Sequence, residues 1–393
     1  MNLVGTGDFT HPRWINELQR DLIEISDTGL FKSANGDAST HYMISGEVST
    51  IFVSCGKTRK IHHVILTPSF ETAKQVNERL MKYGDLTVDG RPLLQMSAPL
   101  LIEEVKAVTD LNEVVPAHVW TPWFSLFGAF SGFDRIEDCY QDMTKHIHAL
   151  ETGLSSDPSM NWRISALDRF ALVSNSDSHS CWPWRMGREA NVFELQQLTY
   201  NEILDTLRKK DRQRFKLTIE TDPAYGKYHW TGHRECKVSM PPRQALKFGN
   251  RCPVCRRTMT KGVEQRVEEL ADRPVDFKPK NVIGYMRLLP LSEIIATVLG
   301  ASSPNVQSVW SVYNRLIAEF ENEYRVLIDA PRKAMAEIVD PKIGEEIERV
   351  RLGKAKVTPG YDGVYGKLRL SEDDKGAETD VAEISQRNIT EYV

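Results

Sequence analysis

Short apolar runs with the length of β-strands alternate with helix-like stretches from Leu3 to about Glu220. Such alternation is typical of βα units arranged around a parallel sheet or barrel, so we expect an α/β fold for this part of the chain. The expected helices cover residues 12–25, 70–83 and 200–210. The expected strands cover residues 3–6, 42–45, 60–67, 113–117, 147–150, 170–173 and 215–220.

Side chains that can bind metal ions recur at or near the ends of these predicted strands. Because a barrel places the carboxyl ends of its strands on one rim, we expect these side chains to converge. Carboxylate oxygens mixed with imidazole nitrogens suit hard and borderline divalent ions. The candidate ligands, in chain order, are Asp8, His11, Glu47, His62, His63, His118, Glu151, Asp177 and His179.

Within this set, the segment VSNSDSHSCWP at residues 173–183 is the strongest local motif, because a strand breaks there into small polar residues that deliver Asp177 and His179 together. Two other assignments stay open. His62 and His63 are neighbours in one predicted strand and point to opposite faces, so we expect only one direct ligand and favour His62. Glu151 is a candidate either for metal binding or for contact with a substrate.

The length, the composition and the absence of certain motifs exclude several classes of protein. The chain has 393 residues, 41% of them hydrophobic, which is enough for two or three domains with a substantial core. No apolar run approaches the roughly 18 residues of a membrane span, and the start lacks a signal-peptide pattern, so we expect a cytoplasmic protein. A phosphate-binding loop ending at Thr58 would need glycine at position 51, where this chain has Ile51, so no nucleotide cofactor is expected.

A separate metal site is predicted near the middle of the chain. Cys252 and Cys255 form a C-x-x-C pair, and Cys236 supplies a third thiolate. A closed tetrahedral zinc site needs a fourth donor, which His233 provides in an H-x-x-C arrangement, with His229 as the alternative. Six cysteines are too few for a disulfide scaffold in a chain of this length. We therefore expect one structural zinc ion.

Positive charge is concentrated over the same region. Residues 208–261 hold 15 Lys or Arg against 4 Asp or Glu, a local charge of +11 in a chain whose formal charge is −4. Such a surface fits a polyanionic partner. The side chains expected to contact phosphates are Arg251, Arg256, Arg257 and Lys261.

Tryptophans follow two of the candidate ligands. Trp123 comes shortly after His118, and Trp182 comes shortly after His179. Such residues either cover a barrel mouth against water or stack on unpaired bases, where each base contributes ~1–3 kcal/mol. On the second interpretation, Trp123 and Trp182 contact nucleic acid.

Beyond about residue 275 the pattern becomes helical. Apolar residues at three- and four-residue steps from Val309 to Leu327 predict a core stripe. From Ser371 onward, seven acidic residues against two basic ones predict a disordered tail. The expected units are a barrel at 1–220, a basic zinc-binding module at 221–275, a helical domain at 276–370 and an acidic tail at 371–393.

Taken together, the motifs resemble the PHP metallophosphoesterase superfamily, and within it the endonuclease Q family of DNA-repair nucleases. The resemblance extends along the whole chain. It implies a distorted (β/α)7 barrel that holds two or three divalent ions (zinc, manganese or magnesium), with Glu47, His118 and Asp177 in catalysis. The motifs are TGDFTHP, SGEVST, KIHHVIL, PAHVWTPWFS, ALETGLSSDP, SNSDSHS, GKYHWTGHREC, CPVC, RVEELADRP and GYDGVYG.

The resemblance also implies an activity and a partner. Members of the family nick DNA on the 5′ side of deaminated bases such as uracil, hypoxanthine and xanthine, or of abasic sites. PHP proteins begin with a strand that ends in H-x-H, and no such motif precedes Asp8. We therefore expect the first βα unit of the barrel to be missing here, and the reading frame to extend upstream of Met1.

Two rival functions stay open. A PHP phosphatase of a small phosphomonoester would use the same metal chemistry, although the basic region and the zinc-binding module argue against it. A DNA-binding protein with impaired catalysis is supported by the absence of H-x-H. The sequence predicts no oligomeric state.

Overall fold

The computed structural model describes residues 1–36, 39–182 and 184–370, so the predicted acidic tail lies outside the described residues. The helices are α1 (Pro12–Asp21), α2 (Phe70–Leu80), α3 (Ala98–Lys106), α4 (Ile136–Tyr140), α5 (Pro158–Asn161), α6 (Tyr200–Arg208), α7 (Pro242–Lys247), α8 (Val263–Leu270), α9 (Leu291–Val298), α10 (Gln307–Phe320), α11 (Arg332–Ala336) and α12 (Pro341–Arg351). The strands are β1 (Leu3–Gly5), β2 (Leu22–Ile25), β3 (Leu30–Ser33), β4 (His41–Ser54), β5 (Lys57–Thr67), β6 (Leu93–Leu94), β7 (Glu113–Pro116), β8 (Ala149–Glu151), β9 (Ala171–Val173), β10 (Ala190–Phe193), β11 (Phe215–Thr221), β12 (Thr231–His233), β13 (Val238–Met240), β14 (Gly284–Leu288), β15 (Lys356–Thr358) and β16 (Lys367–Arg369). Single 3-10 turns cover Gln141–His146, Ser165–Leu167, Pro223–Tyr225 and Arg234–Cys236, and a π-helical turn covers Arg325–Asp329. The α/β prediction is confirmed.

The largest sheet is built on a long antiparallel hairpin of β4 and β5. The two strands stay paired from Ile44 opposite Thr67 to the turn that follows Ser54. The turn residues Cys55 and Gly56 have φ angles of 50° and 71°, which a two-residue hairpin turn requires. Because this turn joins the strands directly, no crossover helix separates them and they cannot be parallel. The expectation of a parallel arrangement is therefore wrong for these two strands.

The other strands complete a mixed arrangement. β7 is antiparallel to β5, whereas β1 and β6 are parallel to β4. β8 and β9 form a parallel pair, and β11 lies between antiparallel β10 and parallel β14. Across the described residues, hydrogen bonds between strands divide these elements into separate sheets and do not close a barrel.

Single hydrogen bonds connect the separate sheets. The backbone N–H of Val119 donates to Glu151 O at 3.0 Å, which places the end of β7 beside β8. The hydroxyl of Ser174 donates to Ile219 O at 2.8 Å, which places the end of β9 beside β11. The segments that follow β7, β8 and β9 therefore lie next to one another.

The first predicted helix ends earlier than expected. It begins at Pro12, where the ring of His11 accepts a hydrogen bond from the backbone N–H of Arg13 and so caps the helix. The helix stops at Asp21, and Leu22–Ile25 pair with β3 as β2. The apolar residues at 22, 23 and 25 belong to a strand, a distinction that short apolar runs do not make by periodicity.

Two main cores hold the chain together. The larger one surrounds the β4–β5 hairpin and includes the fully buried Phe9, Ile61 and Trp120. The other joins β11 and β14 to the C-terminal helices, and the predicted stripe residues Val309 and Leu316 are fully buried in it. In the described part of the chain, no helix is both long and apolar enough to cross a membrane.

Two buried acids lie in or next to the paired strands β10 and β11: Glu220 is in β11, and Glu189 directly precedes β10. Burial raises the pKa of Glu220 to about 8, and the nearby charge of Asp157 acts in the same direction. The hydroxyl of Thr152 donates to Glu220 Oε2 at 2.9 Å, which offsets only part of the effect. Burial and the charge of Glu220 also raise the pKa of Glu189 well above its ordinary value. These groups therefore favour their protonated forms in the folded protein.

We expect Glu220→Gln to reduce the loss of stability between pH 5 and pH 8. A carboxyl group whose pKa rises from 4.5 to about 8 on folding stabilises the protein fully below pH 4.5, and this contribution is lost as the pH rises through 8. Urea unfolding at pH 5, 6.5 and 8 measures the effect. The exposed Glu78→Gln serves as the control. Identical slopes for the wild type and Glu220→Gln would show that Glu220 is ionised throughout.

Candidate metal centre

Three of the predicted ligands meet where β4, β5 and the segment after β7 come together. Glu47 Oε1 lies 3.1 Å from His62 Nδ1 and 3.8 Å from His118 Nε2. The two imidazole nitrogens are 2.9 Å apart. One carboxylate oxygen and two ring nitrogens therefore lie within 4.8 Å of one another, an arrangement that fits a divalent ion.

The state of these donor atoms also fits a metal ion. Glu47 Oε1 is buried and has no hydrogen-bond partner. Burial raises the pKa of Glu47, but the contact with His62 and the charges of His118 and Arg91 outweigh burial and lower it to about 2. Burial lowers the pKa of His62 and so favours its neutral form. An ionised carboxylate beside a neutral imidazole is what metal binding requires.

Glu151, at the end of β8, supports His118. Its Oε2 accepts a hydrogen bond from the His118 backbone N–H at 2.7 Å and lies 3.4 Å from His118 Nδ1. Its Oε1 accepts from Asn175 Nδ2 at 2.8 Å. Burial lowers the pKa of His118, but Glu151 and Glu47 outweigh burial and raise it. Glu151 therefore orients an imidazole, as carboxylates beside metal ligands commonly do, and is outside the three-donor cluster.

Gly153 allows this close approach. Its φ is +61°, and a Cβ there would lie 2.5 Å from the Cβ of His118. Real Cβ atoms do not approach so closely, so any other residue at position 153 would push the segment after β8 away from the one after β7.

Three candidate ligands have a left-handed backbone. The φ angles of Asp8, His118 and Asp177 are 47°, 30° and 42°. A non-glycine residue in such a conformation costs on the order of 1–3 kcal/mol and persists only where surrounding contacts enforce it. Strain of this kind is concentrated at functional sites, and it occurs here in three separate segments that each carry a predicted ligand.

Asp177 and His179 lie beside the cluster and are joined to it by Arg91. Arg91 Nε donates to Glu47 Oε2 at 2.8 Å. Its Nη2 donates to Asp177 Oδ1 at 2.9 Å and lies 3.2 Å from His179 Nε2. His179 is the more exposed of the two, since its side chain is 70% accessible. Arg91 lies in the segment between α2 and β6, which has no recognisable motif, and sequence reasoning missed it.

Asp8 and His11 lie at the edge of the same region. Burial and the charge of Glu47 raise the pKa of Asp8, while the charges of Arg91, His11 and His179 act in the opposite direction. His11 Nε2 lies 3.0 Å from Thr87 O, in the segment that also carries Arg91.

His63 does not reach this centre. It is fully buried on the opposite face of β5, where its ring centroid lies 5.8 Å from that of Tyr140. The expectation that only one histidine of the pair meets the other candidate ligands agrees with this geometry. His63 therefore lies outside the three-donor cluster.

A second cluster lies in the predicted zinc-binding module. His233, Cys236, Cys252 and Cys255 offer one nitrogen and three sulfur atoms within 4.8 Å of one another. Burial raises the pKa of Cys252, but backbone N–H groups of Cys255 and Val254 lower it to about 7 and so favour the thiolate. Three sulfur atoms and one imidazole nitrogen match the donor types and number that structural zinc sites use.

The alternative donor of that site lies elsewhere. His229 Nε2 is 3.6 Å from Glu264, and His229 is outside the four-residue cluster.

The basic region is less uniformly positive than its composition indicates. Several of its cations pair with nearby acids. Within residues 221–275, Arg257 pairs with Glu235 and Lys261 pairs with Glu269. Outside this range, the pairs are Arg208 with Glu113, Lys209 and Arg214 with Asp205, and Lys216 with Glu194.

Arg251 and Arg256 differ from these residues. Both are exposed, and neither has an acidic partner among the described residues. Only part of the positive charge of residues 208–261 is therefore free of acidic partners and available to a polyanion.

The tryptophans after His179 contact the C-terminal helices. The rings of Trp182 and Trp184 stack at 4.8 Å, and both lie within 6.0 Å of Trp310 in α10. The hydroxyl of Tyr324 donates to Gly187 O. These contacts attach the segment that carries Asp177 and His179 to a different part of the chain.

Both predicted DNA-contacting tryptophans are partly exposed. Trp182 is 46% exposed. Trp123 is 41% exposed and stacks on Phe130 with ring centroids 4.9 Å apart. Both interpretations of these residues, as cover or as stacking surface, are compatible with this placement.

Comparison with known proteins identifies similar chains and folds. Residues 290–354 match the MJ0043 C-terminal domain family. The chain is 37% identical over 253 residues to the uncharacterised protein MJ0043 of Methanocaldococcus jannaschii, a match that covers 63% of this chain and only 31% of that protein. It is 27% identical over 376 residues to the uncharacterised protein YqxK of Bacillus subtilis, covering 94% of this chain and 89% of that one.

Two solved structures are similar along most of the chain. The crystal structure of the lesion-specific endonuclease PfuEndoQ from Pyrococcus furiosus matches with a TM-score of 0.82 and 33% identity, covering 96% of this chain and 89% of that one. The structure of Endonuclease Q with a 27-mer duplex substrate that has an abasic lesion at the active site matches with a TM-score of 0.83 and 34% identity, covering 96% and 90%.

We expect Cys252→Ser to remove one zinc ion per chain and to lower the melting temperature, because metal binding supplies much of the folding free energy of a small four-ligand module. Elemental analysis and thermal unfolding measure both effects. Cys55→Ser changes an exposed cysteine outside the cluster and is the matched control. An unchanged zinc content in Cys252→Ser would remove this residue from the site.

We expect Trp310→Ala to loosen the segment that carries Asp177, because the substitution removes the ring against which Trp182 and Trp184 pack. Hydrogen exchange of residues 174–188 should accelerate at least ~10-fold, while that of β4 and β5 stays unchanged. Trp310→Phe keeps an aromatic ring and should have a smaller effect. Equal exchange rates for residues 174–188 in the wild type and both variants would show that Trp310 does not hold this segment in place.

Proposed function

This chain belongs to the endonuclease Q family, and we propose that it is a metal-dependent endonuclease that cuts one strand of damaged DNA. The observation that carries the proposal is the convergence of Glu47, His62 and His118, with Asp177 and His179 beside them. A fold match with two nucleases along 96% of the chain supports it.

The proposed substrates follow from the family. One similar structure contains a duplex with an abasic lesion at its active site, which supports abasic sites. The sequence resemblance adds deaminated bases, namely uracil, hypoxanthine and xanthine. We propose hydrolysis of the phosphodiester bond on the 5′ side of the lesion. Because the distinguishing groups of a damaged base lie inside the duplex, the base would have to leave the stack to be recognised.

The candidate ligands would have different roles in the proposed reaction. Bound divalent ions would supply Lewis-acid activation of water and neutralise charge on the phosphate. Glu47, His62 and His118 would hold one ion, with Glu151 fixing the orientation of His118. A second donor set would comprise Asp177 and His179, with Asp8 and His11 at its edge.

We also propose a role for each part of the chain. Residues 1–220 would form a PHP-type metallophosphoesterase unit, and residues 276–370 would form the helical domain that supports the segment carrying Asp177. Residues 221–275 would bind one structural zinc ion and contact DNA phosphates through Arg251 and Arg256. These exposed cations favour a polyanion over a small phosphomonoester.

The substrate class can be tested with matched oligonucleotide duplexes. Each carries a single uracil, hypoxanthine, xanthine or abasic site, and one is undamaged. We expect a nick 5′ to at least one lesion and none in the undamaged duplex. Binding without nicking would favour an impaired DNA-binding protein, and release of phosphate from small esters alone would favour a phosphatase.

We expect Asp177→Asn to reduce nicking at least ~100-fold, since even the partners of metal ligands typically contribute 10–100-fold. Binding should change little, because it depends on cations of the zinc-binding module and not on Asp177. Gel shifts and nicking assays on one duplex measure both properties. Asp276→Asn changes an exposed aspartate elsewhere and is the control. Nicking at the wild-type rate would exclude a metal-binding role for Asp177.

A further inference from the structure

Arg91 divides the candidate ligands into two sets that differ in availability. Its guanidinium contacts Glu47 Oε2 at 2.8 Å, Asp177 Oδ1 at 2.9 Å and His179 Nε2 at 3.2 Å. The other oxygen of Glu47 faces His62 and is free of hydrogen bonds. Glu47 Oε1 therefore does not face the guanidinium, whereas Asp177 Oδ1 and His179 Nε2 both do.

The contacts of Arg91 are strong enough to oppose the binding of a metal ion. Its side chain is 25% exposed and lies between two carboxylates whose side chains are 16% and 30% exposed. Hydrogen bonds to charged groups are stronger than those between neutral groups, although screening by water weakens these partly exposed pairs. Without a cation between them, Glu47 and Asp177 would place two negative charges close together.

A guanidinium and a divalent ion cannot share the same oxygen and nitrogen lone pairs. Arg91 approaches Asp177 Oδ1 and His179 Nε2, two atoms able to bind an ion, within hydrogen-bonding distance. Binding of an ion through these two atoms requires the guanidinium to move, whereas binding through Glu47 Oε1, His62 and His118 does not.

We propose that Arg91 is a built-in cation that competes with the second metal ion of the centre. It neutralises Glu47 and Asp177 in the metal-free protein and makes loading sequential. The first ion enters at Glu47, His62 and His118, and the second enters at Asp177 and His179 only after Arg91 is displaced. The proposal rests on the proposed function in that these ions are the ones the nuclease would use, but it concerns metal binding alone.

The test is a titration with Mn²⁺, followed by calorimetry and by the electron paramagnetic resonance of free Mn²⁺, on protein whose four-residue zinc cluster is loaded. The wild type should show a tighter and a weaker class of sites. Arg91→Gln should tighten the weaker class by about 10- to 100-fold, the equivalent of the interactions removed, and should change the tighter class much less. Arg91→Lys keeps the positive charge but cannot contact Glu47 and Asp177 at the same time through two nitrogens. Its affinity for Mn²⁺ at the weaker class should lie between those of the wild type and Arg91→Gln.

Arg188→Gln is the matched control. Arg188 donates to Ser176 O at 3.0 Å and 2.9 Å, and its charge acts on Asp177 without contacting either carboxylate. If this variant tightened the weaker class as much as Arg91→Gln, general electrostatics would explain the effect and the proposal would fail. Unchanged Mn²⁺ binding in Arg91→Gln would also overturn the proposal, because Arg91 would then not compete with the ion. Weaker Mn²⁺ binding would overturn it as well, because Arg91 would then position the ligands for the ion.

A stability measurement separates competition from misfolding. Without metal, Arg91→Gln should melt at a lower temperature than the wild type, because Glu47 and Asp177 lose their shared cation. Saturating Mn²⁺ should raise its melting temperature more than that of the wild type. An equal or smaller rise would contradict competition. Because neither measurement uses DNA, failure to nick any duplex would refute the nuclease proposal and leave this one standing.

Discussion

The register of the β4–β5 hairpin is the constraint on which the candidate metal centre depends. Glu47 is paired with Val64, and His62 lies two residues from Val64 on the same face of the sheet. This diagonal relation brings the carboxylate and the imidazole within 3.1 Å. A slip of one residue would turn His62 away and present His63 instead. The tight turn at Cys55-Gly56 sets the register and thereby selects the histidine that joins the centre.

Charge balance is the second requirement of the centre. Several acids lie close together, and ionised carboxylates at such distances repel unless cations compensate. Arg91 and His118 contribute to that compensation at Glu47, and the left-handed conformations of Asp8, His118 and Asp177 add a cost in backbone energy. Surrounding contacts offset this cost, including the hydrogen bond that the His118 backbone N–H donates to Glu151.

The C-terminal helices contribute to the centre from a distance. They share a core with β11 and β14, and Trp310 packs against the tryptophans that follow His179. The match of residues 290–354 to a domain family lies in this region. The C-terminal helices are distant in sequence from the candidate ligands, but they pack against the segment that carries Asp177 and His179.

Local sequence patterns were sufficient for much of this description. Apolar runs located seven of the sixteen described strands, three- and four-residue steps located the buried stripe with Val309 and Leu316, and the spacing of Cys252 and Cys255 located the four-donor cluster. Each of these signals depends on residues close together in the chain, where periodicity and spacing are direct consequences of backbone geometry. The family resemblance, which rests on several such motifs, is confirmed.

Long-range contacts decided the rest. The position of Arg91 between two ligand sets and the pairing of Lys261 with Glu269 depend on partners that no local pattern specifies. A candidate ligand can be recognised by its type and neighbours. Which lone pairs are free and which face a cation depends on packing of segments distant in the chain, because an ion pair forms only where folding brings its two charges together.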